Sequence, residues 1–183
     1  MNTKLNLVLS AAVSVLAVTA APAATYNNEV DVGVLVLFIG NINGRYERNI
    51  NDYVAVVAGA GYMPHGYVFI PDEERDKFEY WRITTINGAV KFFPLGDFRR
   101  LYFQGEINVD FHSVEELGTG ATGSATAYRP GAVVGWRWVI AERATLTVGA
   151  GSDYLEIHAR AGDTEGTLDG IWPRLDFNLG FLF

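Results

Sequence analysis

The sequence predicts an all-β fold: a single antiparallel up-and-down β-barrel of about eight strands that crosses a membrane, with a lumen filled by side chains. Three observations predict it. The segment Pro173 to Phe183 alternates strictly, with Pro173, Leu175, Phe177, Leu179, Phe181 and Phe183 on one face and Arg174, Asp176, Asn178, Gly180 and Leu182 on the other. A second segment does the same, with Leu101, Phe103, Gly105, Ile107, Val109 and Phe111 opposing Tyr102, Gln104, Glu106, Asn108, Asp110 and His112. Acids on the polar face of that strand would ruin a soluble sandwich core but suit a charge-paired lumen. Finally, an export signal precedes a chain that has no apolar run long enough for a spanning helix, and a closed barrel is the other way to satisfy a backbone in lipid.

The chain has 183 residues, a length suited to one domain. Lys4 supplies a positive start, Leu5 to Val18 is largely apolar, and Ala21-Pro22-Ala23 fits a small-x-small cleavage site. Residues 1–23 are therefore expected to be a cleaved signal peptide and 24–183 the barrel. The apolar stretch is shorter than the ~20 residues of a spanning helix and is interrupted by Asn6 and Ser14. The chain has no cysteine, which excludes disulfides, thiolate metal sites and an acylated amino-terminal cysteine. Hydrophobic residues make up 49% and aromatics 13%, while a formal charge of -7 argues against a nucleic-acid partner.

The strands are expected near 29–38, 42–50, 53–65, 79–93, 99–112, 125–140, 144–157 and 171–183, most of them near the ~9–11 residues that cross at a tilt. The first contains the longest apolar run, Val32 to Ile39, broken by Gly33. The second carries Arg45 and Glu47, and the third follows the turn Asn49-Ile50-Asn51-Asp52. In the fourth, Arg82 and Lys91 fall on opposite faces unless a bulge intervenes. In the sixth, Tyr128, Pro130, Ala132, Val134, Trp136 and Trp138 oppose Arg129, Gly131, Val133, Gly135 and Arg137. In the seventh, Leu146, Val148 and Ala150 oppose Thr145, Thr147, Gly149, Gly151 and Asp153, and the phase blurs beyond Ser152, where a bulge is expected.

Connections alternate in character. Asn49 to Asp52, Pro94 to Asp97 and Ala141 to Arg143 read as short turns, whereas 66–78, 113–124 and 159–170 read as longer polar loops. Outer-membrane barrels have short periplasmic turns and longer external loops. A periplasmic carboxy terminus then puts the long loops outside, with a very short first external connection around Gly40-Asn41.

Three stretches carry a resemblance: Arg45-Tyr46-Glu47-Arg48, Gly135-Trp136-Arg137-Trp138 before a tight turn, and the ending Pro173 to Phe183. Together they make the chain resemble the small eight-stranded OmpA/OmpX type of bacterial outer-membrane barrel, and more narrowly a barrel family of undefined function. The resemblance implies fold and location but no activity. It also implies that the aromatic ending Phe177, Leu179, Phe181 and Phe183 is read by the barrel-assembly machinery.

Arg45, Glu47, Lys91, Glu106, Asp110, Arg129, Arg137, Asp153, Arg174 and Asp176 are expected to face the lumen as an ion-pair network, because buried charges need partners. An ion or proton path is the alternative. His65, His112 and His158 fall at the external ends of their strands with carboxylates nearby, but they lack tight His-x-x-x-His spacing, so no metal or other cofactor is expected. His112-Ser113 beside Glu115 invites comparison with lipid A deacylases. Adjacent strand residues point to opposite faces, however, so no catalytic residue is assigned. Tyr62, Trp81, Phe92, Phe93, Tyr128, Trp136, Trp138, Tyr154 and Trp172 read as interfacial girdles. Asp72, Glu73, Glu74 and Asp76 read as a solvated loop tip.

The expected function is that of an integral outer-membrane barrel of a diderm bacterium with a structural or surface-interaction role. Its expected partners are membrane lipid, lipopolysaccharide and the assembly machinery, with an external partner reached through 66–78, 113–124 and 159–170. The alternatives are a lipid-modifying enzyme, or a soluble lipocalin-like periplasmic carrier that would put its apolar face inside.

Overall fold

The structure, a computed structural model, describes residues 26–34, 40–64, 78–96, 98–116, 119–140, 142–161 and 164–183. The expected signal peptide, His65, the acidic tip and nearly all of 66–78 lie outside these residues.

The described strands are β1 (Asn28–Gly33), β2 (Ile42–Asn49), β3 (Val54–Met63), β4 (Phe78–Phe92), β5 (Arg100–Glu116), β6 (Thr122–Ile140), β7 (Ala144–Ala161) and β8 (Thr164–Leu182). Each pairs antiparallel with its sequence neighbours, and β1 pairs with β8 to close the barrel. Closure removes the sheet edges that lipid could not satisfy. The ladder is staggered. It runs from Asn28 through Arg48, Val56, Val90, Gly105, Ala132 and Ser152 to Pro173, whereas Asn28 itself lies beside Phe183. One circuit therefore climbs well up β8, which is the tilt that closure requires.

The first described residues before β1, the carboxy terminus and three turns lie at one end of the barrel, the terminal end. Asn51 Oδ1 accepts the backbone N–H groups of Tyr53 and Val54, both at 2.9 Å, and so shapes the β2–β3 turn. Gly96 takes φ of 63° beneath the β4–β5 turn, against the Tyr53 ring. That connection runs past the expected Pro94 to Asp97, because Phe93 and Phe98 pack edge to face at 5.2 Å and draw the turn under the barrel.

The outer surface follows the period of two. Phe177, Leu179 and Phe181 are 37%, 48% and 48% exposed, while Arg137, Glu106 and Asp176 are 1%, 8% and 9% exposed. This contradicts the soluble carrier, which needs the reverse. Val30, Val56, Ile86, Val90, Phe103 and Ile107 continue the apolar belt around the wall.

Toward the far end the polarity inverts on both faces. On β7, Val148, Ala150 and Tyr154 point outward and are followed on the same face by Glu156, His158 and Arg160. Inside, Asp153 is followed by Leu155, Ile157 and Ala161, which pack with Val114, Ala125 and Ala127 into an apolar cap against Trp172. Burying Leu155 and Ile157 stabilises by about 1.5–3 kcal/mol each. The bulge expected beyond Ser152 is absent, since β7 and β8 keep one register from Ala144↔Phe181 to Ala161↔Thr164. The phase blurs because the surroundings change from lipid to water while the backbone continues unbroken.

The same inversion explains the loop lengths. The loops expected at 113–124 and 159–170 are mostly strand: β5 runs to Glu116, β6 starts at Thr122, β7 runs to Ala161 and β8 starts at Thr164. The ladder continues above the belt, where apolar-out alternation no longer marks it. The strand expected over 29–38 is described as β1 only to Gly33, with Val34 already off the strand; positions 35–39 lie outside the described residues. A bulge does occur in β4, between Tyr80 and Arg82, but it leaves Arg82 facing out and Lys91 facing in.

Candidate functional site

The lumen is the most densely charged place in the described structure. Its lower knot sits near the terminal end. Arg137 of β6 donates from Nη1 to Glu47 Oε1 at 2.7 Å and from Nη2 to Oε2 at 2.6 Å. Lys91 Nζ of β4 donates to Glu47 Oε2 at 2.6 Å. Glu29 of β1 lies 3.1 Å from Arg137 and accepts the Thr145 hydroxyl at 2.5 Å. Phe93 and Tyr102 line the knot, with the Arg137 guanidinium 5.0 Å from the Phe93 ring and Lys91 5.3 Å from that of Tyr102.

A second knot lies above it. Arg45 of β2 donates to Asp31 of β1 at 2.8 Å and lies 3.8 Å from Asp176 of β8, so one guanidinium straddles the closing seam. Arg174 donates to Asp176 at 2.7 Å, pairs with Glu106 and lies 3.5 Å from Asp153. Arg129 donates to Asp110 at 2.5 Å and to Asp153 at 3.1 Å. Neutral groups complete the set: Asn108 Nδ2 donates to Glu106 at 2.5 Å, the Thr85 hydroxyl to Asp110 at 2.6 Å, and Gln104 to Glu106. A charge buried from water is tolerable when it is paired and hydrogen-bonded in this way.

Glycine makes room for these groups. Gly135 and Gly149 face Tyr102, and a Cβ on Gly135 would run into its ring and hydroxyl. Gly131 stands in the same relation to the Asp153 carboxylate. The small residues of β6 and β7 therefore occupy wall positions over which bulky lumen groups lie.

All ten side chains named for the lumen lie on the inner face, in two knots: Glu47, Lys91 and Arg137 below; Arg45, Glu106, Asp110, Arg129, Asp153, Arg174 and Asp176 above. Glu29 and Asp31 belong with them and were missed, although they alternate with Val30 and Val32 in the same period of two. Phe177, Leu179, Phe181 and Phe183 all lie on the outer face.

Other groups do not converge. His112 is buried on the inner face and His158 is exposed on the outer face, so they share no site. Ser113 faces away from His112. Among the described residues there is no cluster of three or more histidine or acidic side chains arranged to hold a metal. Of the expected girdle aromatics, Tyr62, Phe92, Tyr128 and Tyr154 are exposed, and Trp136 and Trp138 lie on the outer face with ring centroids 6.4 Å apart. Phe93 and Trp172 are corrections. Phe93 turns in beneath Arg137, and Trp172 turns in against the apolar cap, because each falls on the inner parity of its strand. The Trp81 side chain lies outside the described residues.

A closed eight-stranded antiparallel barrel with an apolar belt outside and an ion-paired interior is the architecture of a membrane-spanning β-barrel. The chain is similar in structure to the N-terminal β-barrel domain of Pseudomonas aeruginosa OprF, at 12% identity and a TM-score of 0.47 over 86% of this chain and 98% of that one. It is also similar to a major outer membrane protein from Thermus thermophilus, at 14% identity and a TM-score of 0.46 over 87% of this chain and 100% of that one. No family model matches the chain, and no curated protein does. The membrane assignment rests on the belt and the charged lumen.

Proposed function

We propose that the chain is exported, loses residues 1–23, and acts in the outer membrane of a diderm bacterium as a plugged barrel with its carboxy terminus in the periplasm. Its role is structural or interactive: supporting the envelope, or presenting the far-end hairpins to an external partner. Membrane lipid and lipopolysaccharide surround it, and the assembly machinery reads Phe177, Leu179, Phe181 and Phe183.

The observation that carries this reading is the Arg137–Glu47–Lys91 knot, in which groups from β2, β4 and β6 meet across the lumen. An eight-stranded barrel is narrow enough for side chains to fill it. Opposite charges at hydrogen-bond distance favour a plug over an ion path.

Planar-bilayer recording tests the plug. Purified protein is expected to show no sustained conductance, and stable unitary currents would contradict the reading. Fractionation tests location: the protein is expected to require detergent for release, and recovery in osmotic-shock fluid would count against a membrane barrel.

A further inference from the structure

One cavity lies outside the lumen, on the outer wall at the level where the belt ends. It has a volume of about 280 Å³ and is lined by Tyr62, Arg82, Thr84, Phe111, His112 and Ser113. The registers explain why these residues meet. Tyr62 of β3 pairs with Thr84 of β4, which pairs with Phe111 of β5, and Arg82 pairs with Ser113. Tyr62, Arg82, Thr84, Phe111 and Ser113 share the outward parity, while buried His112 borders the cavity from the wall.

The position is interfacial. Along the outer face of β4, Val90 and Ile86 give way to Thr84 and then Arg82; along β5, Ile107 and Phe111 give way to Ser113. The β4 bulge lies immediately beyond Arg82. Bulges re-aim side chains and recur beside functional sites.

The chemistry is specific. Arg82 makes no ion pair or hydrogen bond with any described residue, unlike every arginine of the two lumen knots. Its guanidinium is a planar fork of donors suited to a phosphate. Tyr62, Thr84 and Ser113, each bearing a hydroxyl, line the same cavity, and Phe111 and Tyr62 supply apolar surface at the edge of the belt. A positive fork with hydroxyls at the headgroup level, continuous with an apolar wall below, complements an amphiphile with an anionic head.

We propose that this groove is a binding site for the phosphate headgroup of a membrane lipid in the far-end leaflet. Arg82 holds the phosphate, the three hydroxyls contribute hydrogen bonds, and the acyl chains lie along Phe111 and Ile86. The proposal rests on the membrane reading above, in which that leaflet is the outer one.

The test uses the full mature chain in phosphatidylcholine vesicles doped with diphosphorylated lipid A, and in matched vesicles doped with the dephosphorylated lipid. Protein is extracted into maltoside detergent, and the retained lipid is read by native mass spectrometry. Wild type is expected to retain the phosphorylated lipid. Arg82→Gln is expected to reduce that retention by about fivefold, the worth of one surface cation against anionic lipid. The dephosphorylated lipid is expected to be retained no better by wild type than by the variant. Arg48→Gln, which alters an outward cation near the terminal end, is expected to change nothing. Equal retention by wild type and Arg82→Gln would overturn the site, and displacement of the lipid by millimolar inorganic phosphate would assign the groove to the free ion instead. Insertion is scored separately by the mobility of unheated protein in dodecyl sulfate gels, so failure to insert counts against the membrane reading and is distinguishable from loss of the site.

Discussion

Arg137 on β6 grips Glu47 on β2 with both arms of its guanidinium, at 2.7 and 2.6 Å, although the residues are 90 positions apart. Both side chains are 1% exposed, and Lys91 shares the same carboxylate. Removing the carboxylate would strand Lys91 and leave Arg137 with Glu29 alone. Glu47→Ala is therefore expected to destabilise the barrel by about 3–5 kcal/mol, the usual effect of breaking a buried ion pair from one side. Urea unfolding in detergent micelles measures this, and a loss below about 1 kcal/mol, the range of an exposed pair, would mean that water reaches the knot.

Gly135 lies under Tyr102, with no room for a Cβ. Gly135→Ala should cost about 1–3 kcal/mol by overpacking. Adding Tyr102→Leu should recover part of that loss, since contacting residues couple. Strict additivity in the double variant, read by the same unfolding assay, would show that the two positions do not touch.

Depth along β8 gives a third test. Phe177 lies within the apolar belt, whereas Thr167 lies above the inversion, where outward residues are polar. An arginine at a bilayer midplane costs about 2–4 kcal/mol and close to nothing outside the membrane. Phe177→Arg should be strongly destabilising and Thr167→Arg nearly silent when both are refolded into vesicles. Equal costs would misplace the boundary.

The apolar cap predicts a local effect. Ile157 is 1% exposed and packs with Leu155 and Val114 above the charged layers. Ile157→Ala should raise amide exchange in the far-end parts of β7 and β8, while exchange around Thr145 and Asn178 stays slow. Uniform acceleration along both strands would show that the cap and the belt unfold as one unit.

How far the sequence could be read followed the physics of each layer. Within the belt, lipid outside and charge inside impose the period of two, so Leu101 to Phe111 and Pro173 to Phe183 announced both strand and face. Beyond Tyr154 the period persists but its polarity flips, so the hairpin extensions read as loops and the flip read as a bulge. Glu29 and Asp31 carried the same signal as the other lumen residues in a strand too short to stand out. Partner choice was not legible: parity says that Arg137 and Glu47 share the lumen, and only the barrel stagger brings them to one height. The Arg82 groove was equally hidden, because three strands contribute to it and each supplies one or two ordinary polar residues.

The central claim is that apolar side chains face lipid while the charged lumen is shut off from it. Lipid-borne bromine quenching of single-tryptophan variants tests it most directly. With the other tryptophans replaced by phenylalanine, Trp136 on the outer face is expected to be strongly quenched by bromines on the acyl chains, and Trp172 inside the cap to be little affected. Strong quenching of Trp172 with Trp136 left bright would contradict the account.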